Sequence, residues 1–166
     1  MRKLRVRKVV INIGVGEAGD KLVKAQKVLQ LLTNHKSIQT ISKKTNKDLG
    51  IREGMPIGCK VTLRNEDAYE FLKRAFWVKT NKIASYNFDH EGNFSFGIPD
   101  YTDFKELRYD PDIGIFGMDI SVTVDRAGTR VRKRRRSRSR ISPSHKVKRD
   151  ESMEFIRTEY ELEIIE

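Results

Sequence analysis

The feature that most limits how this chain can fold is a run of basic residues near its C-terminus. Between Arg130 and Arg140, eight of eleven residues are Arg or Lys. Residues 126–149 as a whole carry twelve basic groups and no acidic one. Like charges at this density repel one another, and the segment has too few apolar residues to build a core by itself. The core must therefore come from the rest of the chain.

The remaining charge is also distributed in blocks. Residues 1–64 carry a net charge of +11 and residues 126–149 one of +12, whereas residues 65–125 and 150–166 carry −6 each. A polyanion is the natural partner of the two basic blocks. Arginine forks suit phosphate oxygens, and neutralising them against phosphates releases counterions. The run therefore favours nucleic-acid contact, without distinguishing DNA from RNA; the alternative is a solvated tail or a localisation signal.

Hydrophobic periodicity predicts an α+β fold. β-branched and alternating residues predict strands at 4–13, 37–43, 57–64, 93–97 and 118–125. Amphipathic patterns predict helices at 20–33, from Asn65 to Trp77, and at 150–160. Asn65 and Asp150 are the predicted helix caps. Three apolar residues are the predicted contacts of the last helix: Met153, Phe155 and Ile156. Residues 44–56 and 98–115 lack a period and are predicted loops.

This order of elements predicts a single domain, with helices packed on a mostly antiparallel sheet. Residues 1–125 are the predicted α+β core, and residues 126–149 are predicted to form an Arg/Lys-rich extended loop. Residues 150–166 form an acidic C-terminal helix and tail that complete the domain. No apolar run approaches the ~20 residues of a membrane span, so we predict no membrane partner. The first residues lack the apolar segment of a signal peptide. With one cysteine, the chain fits a cytoplasmic setting.

A search for catalytic chemistry finds no candidate. His35, His90 and His145 are far apart and flank no ligand pattern. Cys59 lies in an apolar strand and is interpreted as a buried small hydrophobe. We predict no catalytic residue, no metal and no cofactor, and therefore a protein that is not an enzyme. Phe94 and Phe96 share one strand face, which is consistent with base stacking and equally with core packing.

One motif competes with this conclusion. Gly14-Val-Gly-Glu-Ala-Gly19 matches G-x-G-x-x-G between a strand and a helix, the pattern of dinucleotide sites. The acid expected about twenty residues further on is missing, because residues 37–44 contain none. The simpler interpretation is a tight strand-to-helix turn. Its backbone N–H groups at a helix start can also hold an RNA phosphate.

Four segments resemble the large-subunit ribosomal protein five family, in the family's order. They are Val10-Ile-Asn-Ile-Gly-Val-Gly-Glu-Ala18, residues 50–64, residues 87–97 and Gly117-Met-Asp-Ile-Ser-Val-Thr-Val124. The segment from Gly50 to Arg64 is the most specific. The likeness spans residues 5–125, and the Arg-rich insertion with the acidic last helix resembles the archaeal and eukaryotic branch. The long N-terminal helix of the bacterial pattern is missing, so its contacts are not carried over.

The resemblance implies a structural protein of the central protuberance that binds 5S ribosomal RNA and helps attach it to the large-subunit RNA. It also implies contact with ribosomal protein thirteen of the small subunit and approach to the P-site transfer RNA. The positions that match the 5S-facing strands are Asn12, Gly14, Gly16, Thr40, Ser42, Lys43, Lys44, Lys60, Thr62 and Arg64. The loop that matches the one near transfer RNA contains Gly50, Ile51, Arg52, Gly54, Met55, Pro56 and Gly58.

The basic run adds further RNA-contact candidates on physical grounds. These are Arg130, Arg132, Lys133, Arg134, Arg135, Arg136, Arg138 and Arg140. The acidic span 98–119 is the hypothesised contact with the small subunit, whose partner protein should be basic. Two rival functions stay open: an enzyme with a nucleotide cofactor at residues 14–19, and a general nucleic-acid binder that works off the ribosome through residues 130–140.

Overall fold

The structure is a computed structural model that describes residues 1–105 and 107–165. Its strands are β1 (Leu4–Gly14), β2 (Ile38–Ile41), β3 (Pro56–Leu63), β4 (Lys82–Ala84), β5 (Phe94–Ile98), β6 (Met118–Arg126) and β7 (Glu163–Ile165). Its helices are α1 (Asp20–Thr33), α2 (Asn65–Val78), the single turn α3 (Arg130–Lys133) and α4 (Arg149–Tyr160). Every predicted strand and helix is present, with ends shifted by a few residues at most.

The central sheet has five strands in the order β2-β3-β1-β6-β5. The predicted α+β class with a mostly antiparallel sheet and a C-terminal helix is confirmed. A separate pair, β4 and β7, is parallel and was not predicted. Contacts group the chain into two compact units. The first contains residues 1–9, 64–96 and 121–166, and the second contains residues 10–63 and 97–120.

The second unit is built on α1 and the strands beside it. Leu22, Ala25, Val28, Leu29 and Leu32 form the buried stripe of α1, which packs against β3. On β3 the buried residues alternate with exposed ones, as expected for a strand with one face on a core. α1 therefore does not cover the other face of β3. That uncovered face carries the residues of functional interest.

The first unit has an aromatic core. The ring of Phe76 on α2 lies 5.6 Å from that of Phe96 and meets Tyr160 of α4 edge-on at 5.1 Å. Phe94 lies 4.9 Å from Phe88, and both are buried. Phe94 and Phe96 therefore pack in the core. Of the two roles left open for them, base stacking is excluded. Trp77, in contrast, is 47% exposed.

Both predicted helix caps are wrong by one or two positions. Arg64 is the N-cap of α2, and Asn65 is the first residue of the helix. Lys148 is the N-cap of α4, and its N–H donates to the Glu151 carboxylate at 3.2 Å. A carboxylate at the third helical position that accepts from the N-cap N–H satisfies one of the backbone donors left free at the start of a helix. Of the predicted contacts of α4, Ile156 is buried, whereas Met153 and Phe155 are half-buried.

The segment after β6 is mostly irregular, as predicted for residues 126–149, but it is anchored at its end. Val147 is buried, and Ser152 of α4 donates through its hydroxyl to the carbonyl oxygen of Gly92 at 2.6 Å. Arg126 pairs with Glu151 at 2.9 Å. The basic run is therefore held at both ends by the folded first unit. The division of the chain at residues 125/126 and 149/150 stays a prediction.

Candidate nucleic-acid interface

The exposed side of β2 and β3 collects small polar residues and a lysine. In the antiparallel pairing, Ile38 lies opposite Lys60 and Thr40 lies opposite Gly58. Directly opposite residues of such a pair share a face, and alternate residues along a strand do too. Thr62 therefore joins Lys60 on this side, and both are exposed. We call Ile38, Thr40, Gly58, Lys60 and Thr62 the strand face.

Gly58 keeps the strand face flat. A Cβ at this position would lie 2.7 Å from the Ile13 carbonyl oxygen and 2.9 Å from the Thr40 hydroxyl. The first approach cannot be relieved without movement of the backbone, so only glycine fits between β1 and β2 here. Gly58 itself is buried beside these two atoms, whereas Thr40 is half-buried and reaches the surface of the strand face.

On β1, Asn12 and Gly14 alternate with the buried residues Ile11 and Ile13. Asn12 is half-buried and Gly14 is exposed, so both positions point away from the core. In the glycine-rich turn after β1, backbone N–H groups are already used by the protein itself. The N–H groups of Val15 and Gly16 both donate to the Ile57 carbonyl oxygen, at 3.0 and 2.8 Å. These two amides are therefore occupied within the protein.

The chain between β2 and β3 forms an ordered excursion. The Ser42 N–H donates to the Met55 carbonyl, and the Gly54 N–H donates back to the Ser42 carbonyl at 3.0 Å. The Ser42 hydroxyl also donates to the Lys44 carbonyl at 2.7 Å. Ser42 thus positions the loop, while Lys43 and Lys44 extend into solvent. Of these three predicted RNA contacts, only the two lysines present a free charge on the surface.

The tip of this excursion is a short hairpin. Asn46 and Ile51 exchange two backbone hydrogen bonds, at 2.8 and 2.9 Å. Gly50 and Gly54 have φ of +65° and +81°, a region that glycine adopts without steric cost. Nothing lies within 4 Å of a Cβ built at either position. The loop is consequently exposed yet held in one shape, with Arg52 exposed and Met55 and Pro56 half-buried.

The basic run in the first unit offers exposed cations. Arg130, Arg132, Lys133 and all five later arginines up to Arg140 are exposed. Among the described residues, one ion pair joins the run to a carboxylate, that of Arg132 with Glu91 at 3.5 Å. Arg134 and Arg138 donate instead to carbonyl oxygens inside the run. A segment with so few internal acidic partners is suited to an external polyanion.

Comparisons with known sequences agree on the family of the chain. Residues 1–52 match the profile of "Ribosomal protein L5", and residues 56–155 match the profile of the C-terminus of the same ribosomal family. A large ribosomal subunit protein uL5 from Thermoplasma volcanium is 50% identical over 99% of this chain and 98% of its own. The protein of the same name from Sulfurisphaera tokodaii is 47% identical over 100% of this chain and 94% of its own. The chain belongs to the ribosomal L5 family.

Membership of the ribosomal L5 family confirms the resemblance and its archaeal type. It also decides against the enzyme left open above, because this family consists of structural ribosomal proteins. The glycines at positions 14–19 accordingly serve a turn: Gly16 and Gly19 have positive φ, and no atom lies within 4 Å of a Cβ at any of the three. Within the described residues, no group of side chains has the composition of a metal site, and no helix is long and apolar enough to cross a membrane.

Cys59 of this L5-family chain is predicted to be inert toward thiol reagents in the folded state. It is fully buried, and burial raises its pKa from 9.0 to about 11. At pH 8 the thiolate fraction is then about a hundredfold smaller than for a free cysteine. We expect alkylation by iodoacetamide to be at least ~100-fold slower in buffer than in denaturant, measured by mass spectrometry. Similar rates in both conditions would contradict the buried position.

Proposed function

We propose that this protein, a structural constituent of the large ribosomal subunit in the cytoplasm, holds 5S ribosomal RNA through its strand face. The observation that carries this proposal is that Thr40 and Lys60 share one face of the β2–β3 pair, on which Thr40 lies directly opposite the side-chain-free Gly58. Thr62 belongs to the same face, Asn12 and Gly14 extend the surface onto β1, and Lys43, Lys44, Gly16 and Arg64 lie close to it in sequence.

The chemistry of the strand face suits recognition of RNA by shape. Threonine hydroxyls and lysine ammonium groups can bind phosphates and 2′-hydroxyls, and such contacts fix the position of an RNA without reading its base sequence. No aromatic residue lies among the five positions of the face, so stacking on bases is not its mode of binding. Ile38 provides an exposed apolar contact for a ribose. Such a surface favours a folded RNA with a defined backbone course.

The basic run is proposed to attach the assembly to the large-subunit RNA. Its arginines have the bidentate geometry that phosphates prefer, and their number gives a strong electrostatic contribution to affinity. That contribution does not depend on nucleotide sequence. Specificity for 5S RNA is therefore assigned to the strand face and additional affinity to the run.

Two further partners follow from the exposed loop and the acidic span. The loop from Gly50 to Gly58, whose last three residues belong to β3, is proposed to approach the P-site transfer RNA, because a preformed loop loses little entropy on docking. The acidic span 98–119 is proposed to contact small-subunit ribosomal protein thirteen. In that span Tyr109 and Ile115 are exposed next to Asp110 and Asp112, which gives an apolar and acidic surface for a basic protein. Normal subunit association by a charge-reversed span would refute this contact.

A titration against 5S RNA at several salt concentrations tests the central proposal. Excess unrelated structured RNA is present as a competitor. With about 6–10 phosphate contacts, affinity should fall roughly 10³–10⁵-fold between about 50 and 200 mM salt, yet 5S binding should survive the competitor at moderate salt. If the competitor removes binding at every salt concentration, the protein is a charge-driven binder and the 5S assignment fails.

A further inference from the structure

A cleft in the first unit is lined by cations from distant parts of the chain. Its volume is about 240 Å³. Lys8 of β1 lines it together with Arg132 and Lys133 of α3 and with Lys146. Thr129 supplies a hydroxyl at its wall. One water occupies about 30 Å³ of liquid, so the cleft accommodates a group much larger than a single water.

The acidic residues of the cleft are already engaged by arginines. Asp125 accepts from Arg7 at 2.9 Å, and Glu91 faces Arg132 at 3.5 Å. Lys8, Lys133 and Lys146 have no carboxylate within 4 Å among the described residues. Three lysine side chains thus line one concave surface, and among the described residues none of the three forms an ion pair within 4 Å. Such an arrangement creates a positive potential that a small anion would neutralise.

The hydrogen bonds around Thr129 support the same conclusion. The Thr129 hydroxyl oxygen accepts from Arg7 at 3.1 Å, which leaves its proton available to donate to a ligand oxygen. The same guanidinium nitrogen binds Asp125, so Arg7 connects the wall of the cleft to β6. The walls are therefore fixed by a network that exists before any ligand binds. A fixed wall lowers the entropic cost of binding.

The pKa of Lys133 is lowered by partial desolvation and by other positive charges that lie close to it. Partial desolvation of its ammonium group is the largest cause that lowers its pKa, followed by repulsion from Arg7 and weaker repulsion from Lys8 and Arg132. Asp125 opposes this shift without cancelling it. An anion in the cleft would reverse the imbalance, because an opposite charge at close range favours the protonated amine.

We propose that this cleft is a binding site for one phosphate group, held by Lys8, Lys133 and Lys146 with the Thr129 hydroxyl. The phosphate belongs either to an RNA backbone or to free inorganic phosphate, and both present the same oxygens. For the RNA source the inference rests on the proposed function. A backbone phosphate seated here would fix the start of the basic run at a defined place on the RNA, while the later arginines make contacts that are less constrained.

Lysine acetylation followed by mass spectrometry of the full chain tests this site. Inorganic phosphate is the first probe, with chloride at equal ionic strength as its control. Phosphate should raise the pKa of Lys133 and slow its acetylation, about tenfold for each pKa unit. Lys43 and Lys44, exposed in the other unit, should respond equally to phosphate and chloride. If Lys133 also responds equally to both salts, the proposal is overturned.

A pair of variants matched in charge separates the site from general electrostatics. Phosphate protection of Lys133 should disappear in the Lys8→Gln/Lys146→Gln variant and persist in Lys43→Gln/Lys44→Gln. Protection that persists in both overturns the assignment of the ligands. If the first variant does not fold, as judged by circular dichroism, Lys146→Gln alone replaces it, because this side chain is exposed.

The same measurement in the presence of 5S RNA identifies the source of the phosphate. Protection of Lys133 together with Lys60 supports a backbone phosphate in the cleft. Protection of Lys60 alone overturns the RNA source and leaves free phosphate as the ligand. If 5S RNA protects no lysine beyond what the competitor RNA protects, the proposed function fails, while the phosphate titration still decides the fate of the cleft.

Discussion

We expect Gly92→Ala to lower the free energy of unfolding by about 2–4 kcal/mol. Gly92 has φ of +73°, where a side chain is strained. Its new Cβ would lie 2.7 Å from Val147 Cγ1, 3.1 Å from Ser152 Cβ and 3.2 Å from the Lys148 carbonyl oxygen. Backbone strain and overpacking therefore add at the same point. Urea denaturation with an unchanged m-value is the appropriate measurement.

Gly50→Ala provides the matched control. Gly50 has a similar φ of +65°, but nothing lies within 4 Å of its Cβ. This variant carries the backbone strain alone and should cost about 1–2 kcal/mol. The difference between the two variants measures how tightly Val147 and α4 are held on the turn at Gly92. Equal losses in the two variants would show that the C-terminal segment does not pack there.

The large effect at Gly92 arises because one small turn anchors the C-terminal part of the chain. The Gly92 carbonyl oxygen accepts a hydrogen bond from the buried Ser152 hydroxyl, and Arg149 donates one to the Ser85 carbonyl oxygen at 2.6 Å. These bonds hold α4 and, through Val147, the end of the basic run. A segment with twelve positive charges gains little from folding by itself, so its position depends on such contacts.

Sequence periodicity was sufficient to predict the long elements. In β1 the alternation of Val9, Ile11 and Ile13 against Asn12 follows directly from burial on one face. The stripe of α1 follows from the helical repeat. Both patterns are local and extend over about ten residues or more. Patterns of this length identify the element, and the tertiary contacts agree with them. The exposure of Lys60 and Thr62 was predictable for the same reason.

The features that sequence did not predict depend on contacts between distant residues. β4 and β7 have three residues each, and they pair parallel with Lys82 opposite Glu163. No period is visible in so short a strand. The phosphate cleft brings Lys8 together with Lys133 and Lys146, which no local pattern connects. Gly58 was predicted as the end of an exposed loop, whereas its tight contact with Thr40 required the register of β2 and β3.

The second large effect concerns the division of labour between the strand face and the basic run. We expect Arg135→Gln/Arg136→Gln/Arg140→Gln to weaken binding to 5S RNA and to unrelated RNA alike, by about a hundredfold or more at ~0.1 M salt. The three guanidinium groups are exposed, so their loss removes phosphate contacts without disturbing the core. The slope of log affinity against log salt should become shallower by about 2–3.

Lys43→Gln/Lys44→Gln/Lys60→Gln removes the same charge from the surface of the second unit. If these lysines belong to a shape-specific site, this variant loses affinity for 5S RNA and also loses its preference over competitor RNA. The run variant should keep that preference, because a contact that ignores sequence affects both RNAs equally. Fluorescence anisotropy with both RNAs at several salt concentrations distinguishes the two patterns. Identical behaviour of the two variants would mean that net charge, and not the strand face, selects the RNA.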